Sequence, residues 1–545
     1  MKTDFFCHTV YAYFRQKTGG IAVLQIRNLN ITHKKDLRTI LENFSFVLRE
    51  GDRAVIIGEE GNGKSTLLKW IADPQLIDAY AEAGGERICA GERFGYLPQE
   101  LPREEKDKSI YEFFCEEPLF WEQTPASLGM LARELRLEKD FFYREQKVGT
   151  LSGGERIKLQ MARILIAQPT VLLLDEPSND IDIGTLEWLE RLLLDSAVPV
   201  LYISHDETLI ERTANVIIHI EQIHRKTVSR YTIARTTYQE YKKHREAHLE
   251  KQRLEAYNER RQEQIRQEKF RKIQQKVEHE QRTISRQDPH GGQLLKKKMK
   301  AVKSLEHRYV REAQKMTQIP ETEEAIFMKF GEGIRMPSGK TVLELCMEQL
   351  TVPQPYAHSE AVLAEHIFLR VKGGEKVCII GKNGVGKTTL LRKIAQELLA
   401  REDIHAAYMP QDYEELLDME KTPVEFLCVT KEKAEITRIR TYLGSMKYTP
   451  EEMEHPVAEL SGGQKAKVLL LKMSMSGADV LILDEPTRNF SPLSGPVIRD
   501  VLASYTGTVI SISHDRKYLG EVCDTIYELT GRGLIRRTDV TAEGM

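Results

Sequence analysis

Two stretches of this chain carry residues suited to holding a triphosphate, 323 residues apart counted from Lys64 to Lys387. The first reads Gly58-Glu59-Glu60-Gly61-Asn62-Gly63-Lys64-Ser65-Thr66. The second reads Gly381-Lys382-Asn383-Gly384-Val385-Gly386-Lys387-Thr388-Thr389. Both fit G-x-x-x-x-G-K-[ST]. Glycines let backbone N–H groups wrap phosphates, and the helix that follows adds its positive end. Lys64 and Lys387 would reach the β- and γ-phosphates, and Ser65 and Thr388 would ligate Mg²⁺. A glycine-rich turn is the plain alternative for one such loop; two in the same context favour phosphate.

The context is a strand before each loop and a helix after it. Ala54-Val55-Ile56-Ile57 and Val377-Cys378-Ile379-Ile380 read as buried strands. The same series then follows each loop. Gln99 and Gln411 come first. Next are Leu151-Ser152-Gly153-Gly154-Glu155 and Leu460-Ser461-Gly462-Gly463-Gln464. Apolar runs then end in Asp175-Glu176-Pro177 and Asp484-Glu485-Pro486, and Ser204-His205-Asp206 and Ser513-His514-Asp515 close the series. A buried parallel strand delivers a carboxylate at its C-terminal end, where ligands bind in such sheets. Asp175 and Asp484 would hold Mg²⁺, directly or through water. Glu176 and Glu485 would polarise an attacking water.

This ordered series resembles ATP-binding-cassette nucleotide-binding domains over most of the chain outside residues 1–20 and a central linker. The resemblance implies ATP and Mg²⁺ as cofactors and an ATPase reaction. It makes His205 and His514 switch histidines near the γ-phosphate. Gln99 and Gln411 would join the Mg²⁺ shell and couple the site to movement. It also implies head-to-tail closure of the two cassettes within one monomer. Lys64, Asp175, Glu176 and His205 would then meet Ser461, Gly462 and Gly463 at site one. Lys387, Asp484, Glu485 and His514 would meet Ser152, Gly153 and Gly154 at site two. Tyr356 would stack on adenine, although it reads equally as a loop aromatic; His33 stands at the equivalent position of the first half. The family's closing aspartate is Asp182 in the first half but Ser491 in the second, so the two sites are expected to differ.

Charge is unevenly placed. Residues 241–320 hold 22 Lys+Arg against 11 Asp+Glu, a balance of +11, whereas the whole chain is −3, leaving −14 elsewhere. A basic segment between acidic domains suggests a nucleic-acid partner, with Lys296, Lys297, Lys298 and Lys300 as its densest part. A solvated helical face is the alternative. Seven scattered cysteines without a C-x-x-C pair argue against zinc, iron–sulfur or a disulfide scaffold and suit reduced thiols. No apolar run reaches membrane-spanning length. Asp4, His8, Arg15 and Lys17 interrupt any signal-peptide core, so residues 1–20 are a loose tail or an upstream start.

From about Tyr241 to Glu280 the chain lacks Pro and Gly and is rich in Glu, Gln, Lys and Arg, which predicts a long exposed helix. Turn formers at Gln287-Asp288-Pro289-His290-Gly291-Gly292 break it, and a second helix is expected from about Gln293 to Lys315. The expected fold is therefore α/β: two tandem cassettes, residues 21–240 and 321–545, joined by an antiparallel helical hairpin, 241–320, with its tip at 286–292. This plan resembles the ABC-F translation factors. That resemblance implies a cytoplasmic protein that enters the ribosomal E site and contacts 23S rRNA and the P-site tRNA. The signature starts 86 residues after Ser65 and 72 after Thr388, too close for the inserted arm of some members. No long extension is expected after His514. The segment Asp484 to Leu493 resembles members that protect ribosomes from antibiotics. Arg286, Gln287, Asp288, Pro289 and His290 would then reach furthest towards the drug site. A housekeeping or stress translation factor is the alternative. A transporter subunit leaves the basic hairpin unexplained. Excision-repair and iron–sulfur recycling ATPases need cysteine clusters that this chain lacks.

Overall fold

The computed structural model describes residues 24–89, 91–223, 228–283, 289–313, 336–353 and 360–537. The chain divides into two compact units. One comprises Met1–Tyr238 with Glu323–Met545 and carries both phosphate loops; the other, Gln239–Thr322, is helical.

The first unit uses one sheet design twice. In the first copy the strand order is Phe94–Leu97, Val171–Asp175, Val200–Ile203, Arg53–Ile57, Val216–Ile223 and Val228–Ala234. The second copy runs Ala406–Met409, Val480–Asp484, Thr508–Ile512, Lys376–Ile380, Thr525–Thr530 and Gly533–Arg537. In each, five strands are parallel and the last is antiparallel. Val171–Asp175 and Val480–Asp484 are buried at every position. Unbroken apolar runs of this kind belong to parallel strands covered on both faces. The order sets the carboxylate strand beside the histidine strand, and the histidine strand beside the loop strand. Asp175 is level with Ile203, and Ile203 with Ile56. Three motifs far apart in sequence thus end at one edge.

A smaller antiparallel sheet accompanies each copy. Thr39–Leu48, Leu24–His33 and Ala81–Ile88 form the first, and Thr341–Pro353 pairs with Glu360–Lys372 in the second. The helix after the first loop, Lys64–Ala72, buries Leu67, Leu68 and Ile71 in one cluster with Ile56, Leu173 and Leu201 of the main sheet and Leu41 and Phe46 of the small one. Each such side chain contributes about 1.5–3 kcal/mol of burial. The loop lysine is thereby anchored by a helix held on two sides.

In the helical unit Tyr238–Thr283 is followed by Pro289–Ala313. The ring of Phe270 meets that of Tyr309 edge-on at 5.9 Å, and Val277, Val302, Phe270 and Met299 form one small apolar cluster. Advancing from Phe270 to Val277 pairs with retreating from Tyr309 to Val302, so the two helices run antiparallel. The second helix starts at Pro289, not at Gln293 as the glycines suggested. Proline has no N–H to lose in a first helical turn, and its fixed φ suits that place. Lys296, Lys297, Lys298 and Lys300 are exposed on this helix. Arg286, Gln287 and Asp288, like Tyr356 and the leader 1–20, lie outside the described residues. Among the described residues no helix is long and apolar enough to cross a membrane.

Candidate functional site

Both phosphate loops end in a glycine that caps the next helix in the left-handed region: Gly63 at φ 88° and Gly386 at φ 98°. A side chain at Gly63 would also strike Ile40, 2.0 Å from where its Cβ would stand. Neither helix start has a side-chain cap. The first-turn N–H groups are therefore left for a phosphate, with Lys64, Ser65 and Thr66, or Lys387, Thr388 and Thr389, in that turn. Lys64 Nζ donates to the carbonyls of Gly58 (2.8 Å) and Glu59 (3.0 Å), and Lys387 Nζ to those of Gly381 (2.9 Å) and Lys382 (3.0 Å). Asn62 braces its loop by donating to the Ile220 carbonyl at 3.1 Å.

Beside each lysine stands the carboxylate pair. Ser65 Oγ donates to Asp175 Oδ1 at 2.9 Å. The other oxygen of Asp175, and likewise Oδ2 of Asp484, is buried without a hydrogen-bond partner. A hydroxyl next to a carboxylate with one unused oxygen is the hard-oxygen donor set that suits Mg²⁺. Burial and then the charge of Glu176 raise Asp175 to about 6, against the Ser65 hydrogen bond and the lysines. Burial likewise raises Asp484 to about 6, against the Thr388 hydroxyl and Lys387.

Glu176 and Glu485 both sit at positive φ, 51° and 52°. A non-glycine residue in that region costs on the order of 1–3 kcal/mol. The kink is held because each glutamate N–H donates to the end of the histidine strand: Glu176 to Ile203 at 3.1 Å, Glu485 to Ile512 at 2.9 Å. The bend turns each side chain toward its histidine. His205 Nε2 is 3.3 Å from Glu176 Oε1, and His514 Nε2 is 3.8 Å from Glu485 Oε1.

The two halves contribute to each other's sites. His205 Nδ1 donates to the carbonyl of Phe490 at 2.9 Å, so the opposite cassette orients this ring. The signature helices Gly153–Ile166 and Gly462–Ser476 each start with a capping box, Ser152 with Glu155 and Ser461 with Gln464. Gly463 N–H donates to Glu60 of the first loop at 2.5 Å, and Lys467 lies 3.5 Å from Glu59. A cavity of only ≈ 20 Å³ lies against Glu59, Glu60, Ser461 and Gly463, and a separate one of ≈ 120 Å³ opens on Gln99, Glu176 and Asn179. Across site two, Asn383 Nδ2 donates to the Asp180 carbonyl at 2.6 Å. Gln411 and Arg488 donate to the Asp180 carboxylate at 3.3 and 2.8 Å. Here a cavity of ≈ 560 Å³ is open to Gly153, Lys387, Thr388, Gln411, Glu485 and His514.

The glutamates differ in charge as well as space. Burial pushes Glu176 up, but His205 and Lys64 outweigh it and hold the carboxyl at about 2. Gln99 donates to it at 3.1 Å, and Asn179 also donates to it. Burial and the neighbouring Asp484 push Glu485 up to about 8. Burial and Lys387 lower His514 to about 4.

Glu60, Asn179, Asp180 and Arg488 were not among the residues singled out from sequence. A position-by-position comparison of the loops would have flagged Glu60 against Asn383. Nothing in the sequence marks Asp180 as a contact of the opposite cassette. His33, at the first-half position equivalent to Tyr356, has Nδ1 2.8 Å from Asp36.

The family model described as "ABC transporter" matches residues 41–179 and 364–488. The putative ATP-binding protein YdiF of Bacillus subtilis is 28% identical over 93% of this chain and 80% of its own length. The ribosome protection protein VmlR of the same bacterium is 28% identical over 94% and 88%. ABC transporter F family member 2 of Arabidopsis thaliana is 25% identical over 96% and 79%. Among solved structures, a complex of the archaeal ribosome recycling factor aABCE1 with stalk protein aP1 aligns with a TM-score of 0.55 at 18% identity. It covers 93% of this chain and 90% of that one, a likeness of fold.

Proposed function

Starting from a chain that belongs to the ABC-F proteins and carries two ATPase cassettes, we propose that it binds ribosomes through its helical unit. It would enter the E site and protect the peptidyl-transferase centre from antibiotics, with ATP hydrolysis driving its release. The observation that carries this reading is the antiparallel basic helix pair inserted between the cassettes, with four lysines exposed on its second helix. Exposed lysines recognise phosphate backbones by charge, which suits 23S rRNA and a P-site tRNA. Similarity along nearly the whole length to a protein named for ribosome protection supports the same choice.

In this reading Glu176 and Glu485 orient water, Lys64 and Lys387 neutralise phosphate charge, and the opposite signature helix completes each site. Mg²⁺, held at Ser65 with Asp175 and at Thr388 with Asp484, would supply charge neutralisation. Glu176→Gln with Glu485→Gln should bind ATP but hydrolyse it at least about 100-fold more slowly, since a positioned base contributes roughly 10²–10⁴. The double variant should hold ribosomes in a pull-down; wild-type turnover would refute the assignment of these bases. Drug inhibitory concentrations with and without the gene separate protection from a housekeeping role in translation. Changing Lys296, Lys297, Lys298 and Lys300 to Glu should abolish ribosome co-sedimentation at moderate salt. Unchanged sedimentation across a salt series would remove the helical unit from the contact.

A further inference from the structure

Ser152 and Ser461, Asp175 and Asp484, and His205 and His514 are all 309 residues apart, so from the signature onward the cassettes align without a gap. The same spacing relates three further pairs, and in each the charge is inverted: Glu190 to Arg499, Glu207 to Arg516, and Arg212 to Glu521. These residues meet where the cassettes touch beyond the nucleotide sites. Glu190 lies on the helix Ile183–Asp195 and Glu207 opens the helix Glu207–Thr213. Arg499 and Arg516 occupy the matching helices Gly495–Ser504 and Arg516–Glu521.

The contacts cross in the pattern of a two-fold axis. Arg499 donates to Glu207 at 2.8 Å, and Arg516 donates to Glu190. Within each half the third residue supports the first: Arg212 donates to Glu190 at 3.1 Å, and Arg499 to Glu521 at 2.5 Å. Lys517 adds contacts to Glu207 at 3.3 Å and Glu211 at 2.5 Å. Glu190, Glu207, Arg499 and Arg516 are only 6, 4, 3 and 7% exposed. At such burial an unpaired charge is strongly unfavourable.

A two-fold interface sets residue i of one body against j of the other, and j against i. Two first cassettes joined this way would bury Glu190 against Glu207 twice over. Two second cassettes would bury Arg499 against Arg516. Only unlike cassettes neutralise both contacts. We propose that this charge-inverted crossing is a recognition element that makes the partner of each cassette an unlike cassette and rejects a second copy of itself. Charge opposition of this kind discriminates by penalising the wrong partner as much as by rewarding the right one. Head-to-tail pairing is what brings Gly463 to Glu60 and Asp180 to Asn383, so the crossing fixes which loop meets which signature. The inference concerns cassette pairing and does not depend on a ribosomal role.

The test reverses charge in the full-length chain. Variant A carries E190R, E207R and R212E; variant B carries R499E, R516E and E521R; variant C carries all six. Steady-state ATPase and solution mass are measured for each and for an equimolar mixture of A and B. A and B alone should each lose about tenfold or more in ATPase. C should recover at least about threefold over A and B, because the crossed contacts are restored together. In C, Asp206 and Asp515 lose their arginine contacts at 3.7 and 3.9 Å, and Lys517 keeps Glu211 but not Glu207. Mixing A with B should produce a complex of twice the monomer mass with recovered ATPase, since A then has two cassettes of basic type and B two of acidic type. A variant C no better folded or more active than A and B would overturn the proposal. So would an ATPase rate and mass that do not change on mixing, which would reduce the crossing to a stabilising contact.

Discussion

Glu60 and Asn383 hold the same place in their phosphate loops, and their surroundings differ in charge and in space. Glu60 accepts the Gly463 N–H at the start of the opposite signature helix, where a phosphate oxygen would otherwise be received. A carboxylate is well placed there by the positive end of a helix, and a cavity of ≈ 20 Å³ lies against it. Asn383 instead donates sideways to the Asp180 carbonyl and leaves Gly153 facing ≈ 560 Å³. The glutamates diverge with them: Glu176 is held anionic by His205 and Lys64, and Glu485 is driven toward its neutral form by burial and Asp484. Two loops with the same motif thus differ: one sets a carboxylate against the start of the opposite signature helix, and the other leaves that helix start facing a cavity. Possession of a motif fixes chemistry, but the residues within its variable positions set what each loop meets on the opposite cassette.

The largest expected effect separates the two bases. Glu485→Gln alone should lower steady-state ATPase about 100-fold, the low end of what a single general base supplies, and Glu176→Gln only about tenfold, below that range. Equal losses would erase the distinction drawn between the two sites. A smaller effect is expected when the Glu60 carboxylate is removed. Glu60→Asn, read in a Glu485→Gln background by titration with a fluorescent ATP analogue, should tighten site one about tenfold, or roughly 1.4 kcal/mol. Unchanged affinity would mean that Glu60 yields to phosphate without cost. The smallest effect concerns the contact that braces site two. The Arg488–Asp180 pair is part-exposed on both sides, and such pairs contribute at most about 1 kcal/mol. Arg488→Ala should weaken ATP binding at site two by no more than about fivefold, most visibly at low salt. A loss of two orders of magnitude would make Arg488 a direct ligand of the nucleotide.

Much of the chemistry could be read from residue order because it is local. A loop lysine, a capping serine and a carboxylate at a strand end are each specified by a few neighbours, since backbone geometry over five to ten residues places them. Val171–Asp175 was legible as a buried strand because a parallel strand covered on both faces must be apolar throughout. The long helix Tyr238–Thr283 was legible because nothing in it breaks a helix. The start of the next helix was misplaced by four residues because glycines were weighed above a proline suited to a first turn.

What sequence could not supply is every relation that depends on distant segments meeting. Residues 60 and 463 touch, as do 180 and 488, 205 and 490, and 207 and 499. None of these pairs follows from spacing, because they depend on how two whole cassettes face each other. The positive φ of Glu176 and Glu485 is of the same kind. No local preference puts a glutamate there; hydrogen bonds to the neighbouring histidine strand do. Sequence alone determined which groups this protein has for phosphate chemistry and that it has two sets of them. Asp182 against Ser491 already marked the sets as unequal; the tertiary structure decided how they differ, because only the juxtaposition of the halves sets Glu60 against Gly463 and Asn383 against Asp180.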